Sequence, residues 1–201
     1  MCIRERSGLD RYFKDIFISE EAGSQKPQPE YFEYCFQKMG RRDVENMLAI
    51  LRELGADYRW EADGTLRLDM ATTSAYTMPQ RISKEIRSSI FMLGPLLARF
   101  GRAICTYPGG CEIGNRPIDL HLSGLSALGV KIREQGGLIL CDGTNMQGTE
   151  IHLDYPSVGA TENIMMAAVA AQGDTYIRNA AREPETEDLQ TFLNALGCDV
   201  S

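Results

Sequence analysis

Several ordinary ingredients are scarce. No apolar run approaches the ~18 residues that a membrane-spanning helix needs, so a spanning protein is not expected. The only histidines are His121 and His152. The six cysteines, Cys2, Cys35, Cys105, Cys111, Cys141 and Cys198, include no C-x-x-C pair. Without paired ligands, no zinc site is expected. The cysteines are scattered and no secretory signal accompanies them, which predicts a reducing, cytoplasmic setting. Positive charge is also short. Lys and Arg number 21 against 28 Asp and Glu, a formal net charge of -7. That balance argues against nonspecific nucleic-acid binding and against an anionic membrane surface. It leaves room for a small anionic ligand, since a local arginine cluster can oppose the global sign.

What is present suits a folded chain. Hydrophobic residues make up 43% and charged residues 24% of 201, ordinary globular values that allow a buried core. Two compositions meet near residue 42. The stretch before it is aromatic and acidic. It reads as a strand over 16–19, a loop through Gly23 and Pro27, and a helix over 30–39 ended by Gly40.

The rest is organised by a repeat. Three apolar series at helix spacing each lead into Leu-Gly: Val44, Met47, Leu48 and Leu51 before Gly55; Ile118, Leu122 and Leu125 before Gly129; Leu189, Phe192 and Leu193 before Gly197. Glycine follows because the chain leaves a helix through a left-handed residue. After the first two glycines a strand, a turn and a second strand are expected, over 57–60 and 65–69, then over 130–133 and 138–142. The third copy reaches Ser201 where its hairpin is due, so the chain reads as cut there. Ser83 is expected to cap a helix running to Phe100 with Ile86, Ile90, Leu93 and Leu97 inward and a kink at Pro95. Ser157 or Thr161 is expected to open a matching helix ending near Gln172. Short strands after Gly101 and Gly173 then lead to helices with Pro117 and Pro184 near their starts. A period near 70 residues, built as β-α-β-α-β-β, is too long for a solenoid and predicts α/β modules around a shared helical core.

The repeat also points to a site. Gly101 and Gly129 lie 28 positions apart, whereas Gly173 and Gly197 lie 24 apart. The extra four residues fall most simply in the loop Pro108-Gly-Gly-Cys-Glu-Ile-Gly-Asn-Arg-Pro117, and a loop lengthened against its own repeat is a place to look for function. Its glycines let backbone approach a ligand. Arg116 offers a planar fork for carboxylate or phosphate. A cation beside Cys111 would favour its thiolate and a bound anion would restore the thiol, so Cys111 could act as nucleophile or as general acid. The plain alternative is a glycine-rich turn with a structural cysteine. Arg87 stands on the preceding helix, where a solvated face is the plain reading. The run Ser157 to Asn163 offers hydroxyls and free N–H groups at a helix start, which suits phosphate, although many helices begin with Ser and Gly. The Ala-Met run over 164–171 reads as helix packing.

Four stretches together resemble the UDP-N-acetylglucosamine enolpyruvyl transferase (1-carboxyvinyltransferase) family: IRSSIFMLGPLLARFG, PGGCEIGNRPIDLHLSGLSALG, LDYPSVGATENIMMAA and NAAREPETEDLQTFLNALG. They occur in order across residues 43–201. The resemblance implies an α/β (α+β) fold, an incomplete inside-out α/β barrel of repeated β-α-β-α-β-β units. It implies that phosphoenolpyruvate is protonated at its methylene carbon, that a hydroxyl of UDP-N-acetylglucosamine attacks the cationic carbon, and that phosphate leaves. Cys111 matches the proton donor, which can also hold phosphoenolpyruvate covalently, and Arg116 the residue that meets the phosphoenolpyruvate anion. Arg87, Arg116, Pro117, Ile118, Asp119, Leu120, Ser157 and Val158 match nucleotide-sugar-binding positions. No metal or organic cofactor is implied. The related shikimate-pathway transferase lacks the Cys loop, so Cys111 decides between the two substrates.

Some of the family pattern is not matched. The Lys-Asn pair that opens the family's first unit has no counterpart here, nor does a second domain with its Asp base. Tyr155-Pro156 stands where some members place a Lys. An inactive fragment is therefore expected. Residues 7–40 resemble instead the later part of a haloacid-dehalogenase-like hydrolase, with Lys26 at its phosphate-neutralising position. That segment lacks the nucleophilic Asp and the terminal acidic motif. The expected division is thus 1–42 and 43–201.

Overall fold

The computed structural model describes residues 42–108 and 118–201. The elements expected over 16–19 and 30–39, the hydrolase-like segment with Lys26, and loop residues 109–117 lie outside the described residues. Two compact units divide the chain, Met1–Glu45 and Asn46–Ser201. Apart from the opening residues of the first helix, all the described secondary structure belongs to the second.

Helix α1 (Arg42–Glu53) leads to the antiparallel hairpin of β1 (Asp57–Trp60) and β2 (Leu66–Asp69). Next come a short α2 (Gln80–Ser83), a 3₁₀ helix (Arg87–Met92), α3 (Leu93–Phe100) and β3 (Arg102–Thr106). Helix α4 (Asp119–Ala127) follows, then β4 (Lys131–Gln135) and β5 (Leu138–Asp142). The last part runs β6 (Glu150–His152), α5 (Val158–Ala168), β7 (Tyr176–Arg178) and α6 (Pro184–Ala195). Among the described residues, no helix is long and apolar enough to cross a membrane.

The sheets repeat as the sequence does. β5 lies between β3 and β4 and is antiparallel to both, with Ala103 opposite Cys141 and Ile132 opposite Cys141 on its other side. β3 is preceded by a parallel bridge between Thr77 and Ile104. β7 is preceded in the same way by β6, parallel to it with Ile151 opposite Ile177. The helix exits repeat bond for bond. The N–H of Ala56, Val130 and Cys198 donates to the carbonyl of Leu51, Leu125 and Leu193, five residues back, at 2.9, 3.1 and 3.1 Å. Between them Gly55, Gly129 and Gly197 stand at φ +99°, +89° and +96°, a conformation in which a Cβ would be strained.

The core is helical. Leu93, Leu96 and Leu97 of α3, Leu125 of α4, and Ala160, Ile164 and Ala167 of α5 are all buried in one cluster, with Ile139 and Cys141 of β5 beneath them. Small residues let these helices approach. A Cβ on Gly124 of α4 would collide with the end of the Ile164 side chain, and one on Gly94 of α3 would meet the Asn163 carbonyl oxygen at 2.5 Å. Ala160 and Ala167 of α5 are small too, and both are fully buried.

Some expectations are corrected. Ser83 opens no long helix. It closes α2, and its hydroxyl donates back to the Pro79 carbonyl at 2.7 Å. The chain then becomes extended at Ile86 (φ −128°, ψ 137°) before the 3₁₀ turn. Pro95 makes no kink, because it falls in the first turn of α3, where a missing N–H leaves no helix bond unmade. The apolar set Ile86, Ile90, Leu93 and Leu97 is nonetheless buried as expected. In α1 the buried residues are Leu48 and Ile50, with Leu54 just beyond its end, while Val44 is exposed. In α6 only Leu193 of the expected face is buried, and Phe192 and Leu196 are 59% and 67% exposed. Helix α5 ends at Ala168, short of Gln172, because the Gln172 N–H is used by the Met146 carbonyl at 3.1 Å as the chain turns back into sheet.

Candidate functional site

Two helix starts and one 3₁₀ start carry the described residues that the sequence singled out. Ile118 precedes α4 as its cap, with a bridge-region backbone (φ −106°, ψ 10°) and no side-chain bond. It is 6% exposed and Leu120 is 8% exposed, so both anchor this turn in the core. Asp119 between them is exposed at the first position of α4, where a carboxylate complements the helix dipole. Ser157 caps α5, its oxygen accepting the Ala160 N–H at 3.3 Å. This settles the cap between the two candidates. Thr161 lies inside the helix, and its hydroxyl accepts the Ala181 N–H at 3.1 Å. Val158 is the first residue of α5 and half-buried. Arg87 opens the 3₁₀ helix, also half-buried. Cys111, Arg116 and Pro117 lie outside the described residues.

The residue that ties these pieces together is His121, which did not stand out in the sequence. It is 6% exposed, on the first turn of α4. Its ring meets Phe91 of the 3₁₀ helix edge to face, with centroids 6.2 Å apart. On α5 it spans two positions one turn apart. Its Nδ1 is 3.1 Å from Asn163 Nδ2, and its Cε1–Nε2 edge lies 3.2 to 3.3 Å from where a Cβ on Gly159 would stand. Burial pushes the imidazole down to about 4, aided by the nearby Arg87 cation and opposed by Asp119. Arg87, Asp119 and the first turn of α5 thus surround one neutral ring. Asn163 itself is fully buried, within a stripe of Ala160, Ile164 and Ala167. A polar residue in an otherwise apolar helical stripe was the signal that could have found it.

Two described cysteines are unsuited to the chemistry considered for Cys111. Cys105 on β3 and Cys141 on β5 are buried, and burial pushes their thiols up to about 12 and about 11; for Cys105 the neighbouring Cys141 adds to the effect. A thiol held neutral and dry is a poor nucleophile and a poor acid near neutral pH. We expect iodoacetamide at pH 8 to leave both unmodified in the folded chain and to alkylate both in denaturant. Peptide mapping by mass spectrometry reads this, and native-state alkylation of Cys105 would contradict the burial described.

A cavity of about 690 Å³ lies on the opposite face of α5, lined by Thr161, Met165, Tyr176, Gln190 and Val200 among others. Neither His121 nor Arg87, Asp119, Ser157 or Val158 lines it.

This arrangement of helices and sheets recurs in solved structures. The enolpyruvyl transferase NikO from Streptomyces tendae superposes with a TM-score of 0.67 at 21% identity, over 79% of this chain and 38% of that one. EPSP synthase from Acinetobacter baumannii superposes with a TM-score of 0.58 at 20% identity, over 79% of this chain and 37% of that one. The fold is therefore the inside-out α/β architecture of the enolpyruvyl transferases, present here in part. The chain belongs to the EPSP synthase (3-phosphoshikimate 1-carboxyvinyltransferase) family, whose profile matches residues 39–201. Among individual relatives, UDP-N-acetylglucosamine 1-carboxyvinyltransferase 2 of Caldanaerobacter subterraneus subsp. tengcongensis is 49% identical over 160 residues, 80% of this chain and 38% of the relative. UDP-N-acetylglucosamine 1-carboxyvinyltransferase 1 of Symbiobacterium thermophilum is 53% identical over 164 residues, 79% of this chain and 37% of the relative. The chain thus spans less than two fifths of the length of these relatives.

Proposed function

We propose that this chain carries part of the site of an enzyme that transfers the enolpyruvyl group of phosphoenolpyruvate to UDP-N-acetylglucosamine, a step of peptidoglycan synthesis in the cytoplasm and so one on which cell shape and division depend. The observation that carries the choice of acceptor is Cys111 in its lengthened PGGCEIGNRP loop, a feature absent from the shikimate-pathway branch of the family. The names of the relatives at 49% and 53% identity support it.

In this reading Arg87, Ile118, Asp119, Leu120, Ser157 and Val158, with Arg116 and Pro117, hold the nucleotide sugar. The convergence of Arg87 with the starts of α4 and α5 favours that role, because helix N–H groups and a guanidinium together suit diphosphate oxygens. Arg116 meets the carboxylate or phosphate of phosphoenolpyruvate. The Cys111 thiol gives its proton to the methylene carbon. The sugar hydroxyl, its proton passing to a base of the complete enzyme, then bonds to the adjacent carbon, and loss of inorganic phosphate together with a proton from the new methyl group restores the double bond. Because the chain spans 38% of its relatives' length, this turnover is assigned to the complete enzyme. The 201-residue chain is expected to bind the nucleotide sugar without releasing phosphate.

Isothermal titration tests the reading. Heat is expected with UDP-N-acetylglucosamine and none with shikimate 3-phosphate, and Arg87→Ala should weaken binding about tenfold, the order of one charge-assisted bond. Fosfomycin should add a single adduct at Cys111, seen by peptide mass spectrometry. Preference for the shikimate ligand would overturn the assignment of substrate, and phosphate release at the rate of the full-length relatives would overturn the expectation that this chain is inactive alone.

A further inference from the structure

Asn163 has a forced orientation. The Gly94 N–H donates to its Oδ1 at 2.7 Å, and its Nδ2 donates to the Ile90 carbonyl at 3.0 Å. Turning the amide over would set N–H against N–H and oxygen against oxygen. The nitrogen therefore stays where it is, and its second hydrogen is the one that faces His121 Nδ1 at 3.1 Å. A ring nitrogen that receives a hydrogen bond carries no proton, so the proton of the neutral imidazole belongs on Nε2. The Nε2 edge is the one beside Gly159, in the first turn of α5 next to Val158 and the Ser157 cap.

We propose that Asn163 is a positioning residue that fixes His121 as a neutral ring with its proton on Nε2, so that this N–H is presented at the α5 start to an oxygen of the bound nucleotide sugar. The ligand-facing half of this rests on the function proposed above; the tautomer does not. Among the described residues, two charged groups bear on the ring, Arg87 from the 3₁₀ helix and Asp119 from α4. They act in opposite directions, which leaves the hydrogen bond to decide where the proton sits. Neutrality of the ring is supported by its lowered proton affinity, to about 4. The N–H would then be available across the whole neutral range, and nucleotide-sugar binding would not follow a histidine titration there.

The ¹⁵N spectrum of the full chain reads the tautomer directly. With only two histidines in the sequence, His121→Gln assigns the signals. The unaltered chain should show one tautomer for His121, protonated at Nε2 and bare at Nδ1, from pH 8 down to pH 6. Asn163→Asp keeps an acceptor for the Gly94 N–H but turns an acceptor toward Nδ1. It should move the proton to Nδ1 and make UDP-N-acetylglucosamine binding fall about tenfold, with a new pH dependence between 6 and 8. Asn163→Leu should give mixed tautomers. A proton on Nδ1 in the unaltered chain overturns the proposal without any variant, so a failure of Asn163→Asp to fold leaves it decidable. A tautomer change in either folded variant with unchanged affinity overturns the positioning role. If the unaltered chain binds no UDP-N-acetylglucosamine, the proposed function and the ligand-facing role fall together, and the ligand-free tautomer still tests the Asn163 bond on its own.

Discussion

Gly94→Ala should destabilise the folded unit by at least about 3 kcal/mol, the upper end of what over-packing usually costs. A Cβ at this position would lie 2.5 Å from the Asn163 carbonyl oxygen, 2.8 Å from Asn163 Oδ1 and 2.9 Å from Met166 Cβ. The first of these atoms is backbone inside α5, so no side-chain rotation makes room. The helices must separate, and separation pulls Asn163 Oδ1 from the Gly94 N–H, a buried bond of about 1 kcal/mol. Gly124→Ala is a useful contrast. Its Cβ would strike the outer end of the Ile164 side chain, which can change rotamer, so a loss of about 1–2 kcal/mol is expected. Urea denaturation followed by circular dichroism measures both. A Gly94→Ala chain with the wild-type midpoint would show that α3 and α5 do not approach as closely as described.

The second large effect is a loss of stability in mild acid that belongs to His121. Burial, with Arg87 adding to it, lowers its folded pKa from 6.5 to about 4. The unfolded chain therefore binds this proton first as pH falls. The contribution of the neutral buried ring is complete above about pH 6.5, shrinks between 6.5 and 4, and is gone below about 4. At 1.36 kcal/mol per pKa unit the whole effect is about 3 kcal/mol. His121→Gln should be less stable at pH 7, because the ring leaves Phe91 and Asn163. It should also lack this component of the decline between pH 6.5 and 4. Denaturant titrations of both chains at several pH values give the difference. Parallel declines would mean that the ring is not buried in its neutral form.

The two effects meet at Asn163, which bonds to Gly94, Ile90 and His121 at once. None of these three contacts is local in sequence. The nearest partner lies 42 residues away and the farthest 73. That explains why the bonding of Asn163 and His121 was not legible from the sequence. Asn163 stood out only as one polar position among Ala160, Ile164 and Ala167, and His121 only as one of two histidines. Nearby, the sequence marked Ser157 as a candidate helix cap, a signal held within a single stretch of chain, whereas Asp119, Leu120 and Val158 were named through the family resemblance.

By itself the sequence determined the modules. The Leu-Gly helix exits and the two hairpins are set by apolar spacing and by glycines needed at positive φ, both of which act within a few residues. It also marked the Cys111 loop, through a four-residue difference between repeats. Only the tertiary structure decided which faces of α1 and α6 are covered, that Pro95 stands in the first turn of a helix where a kink was expected, and that His121 and Asn163 lock together. An amphipathic pattern says that a face can be buried. It does not say what stands opposite, and burial, ring tautomer and proton affinity all depend on what stands opposite.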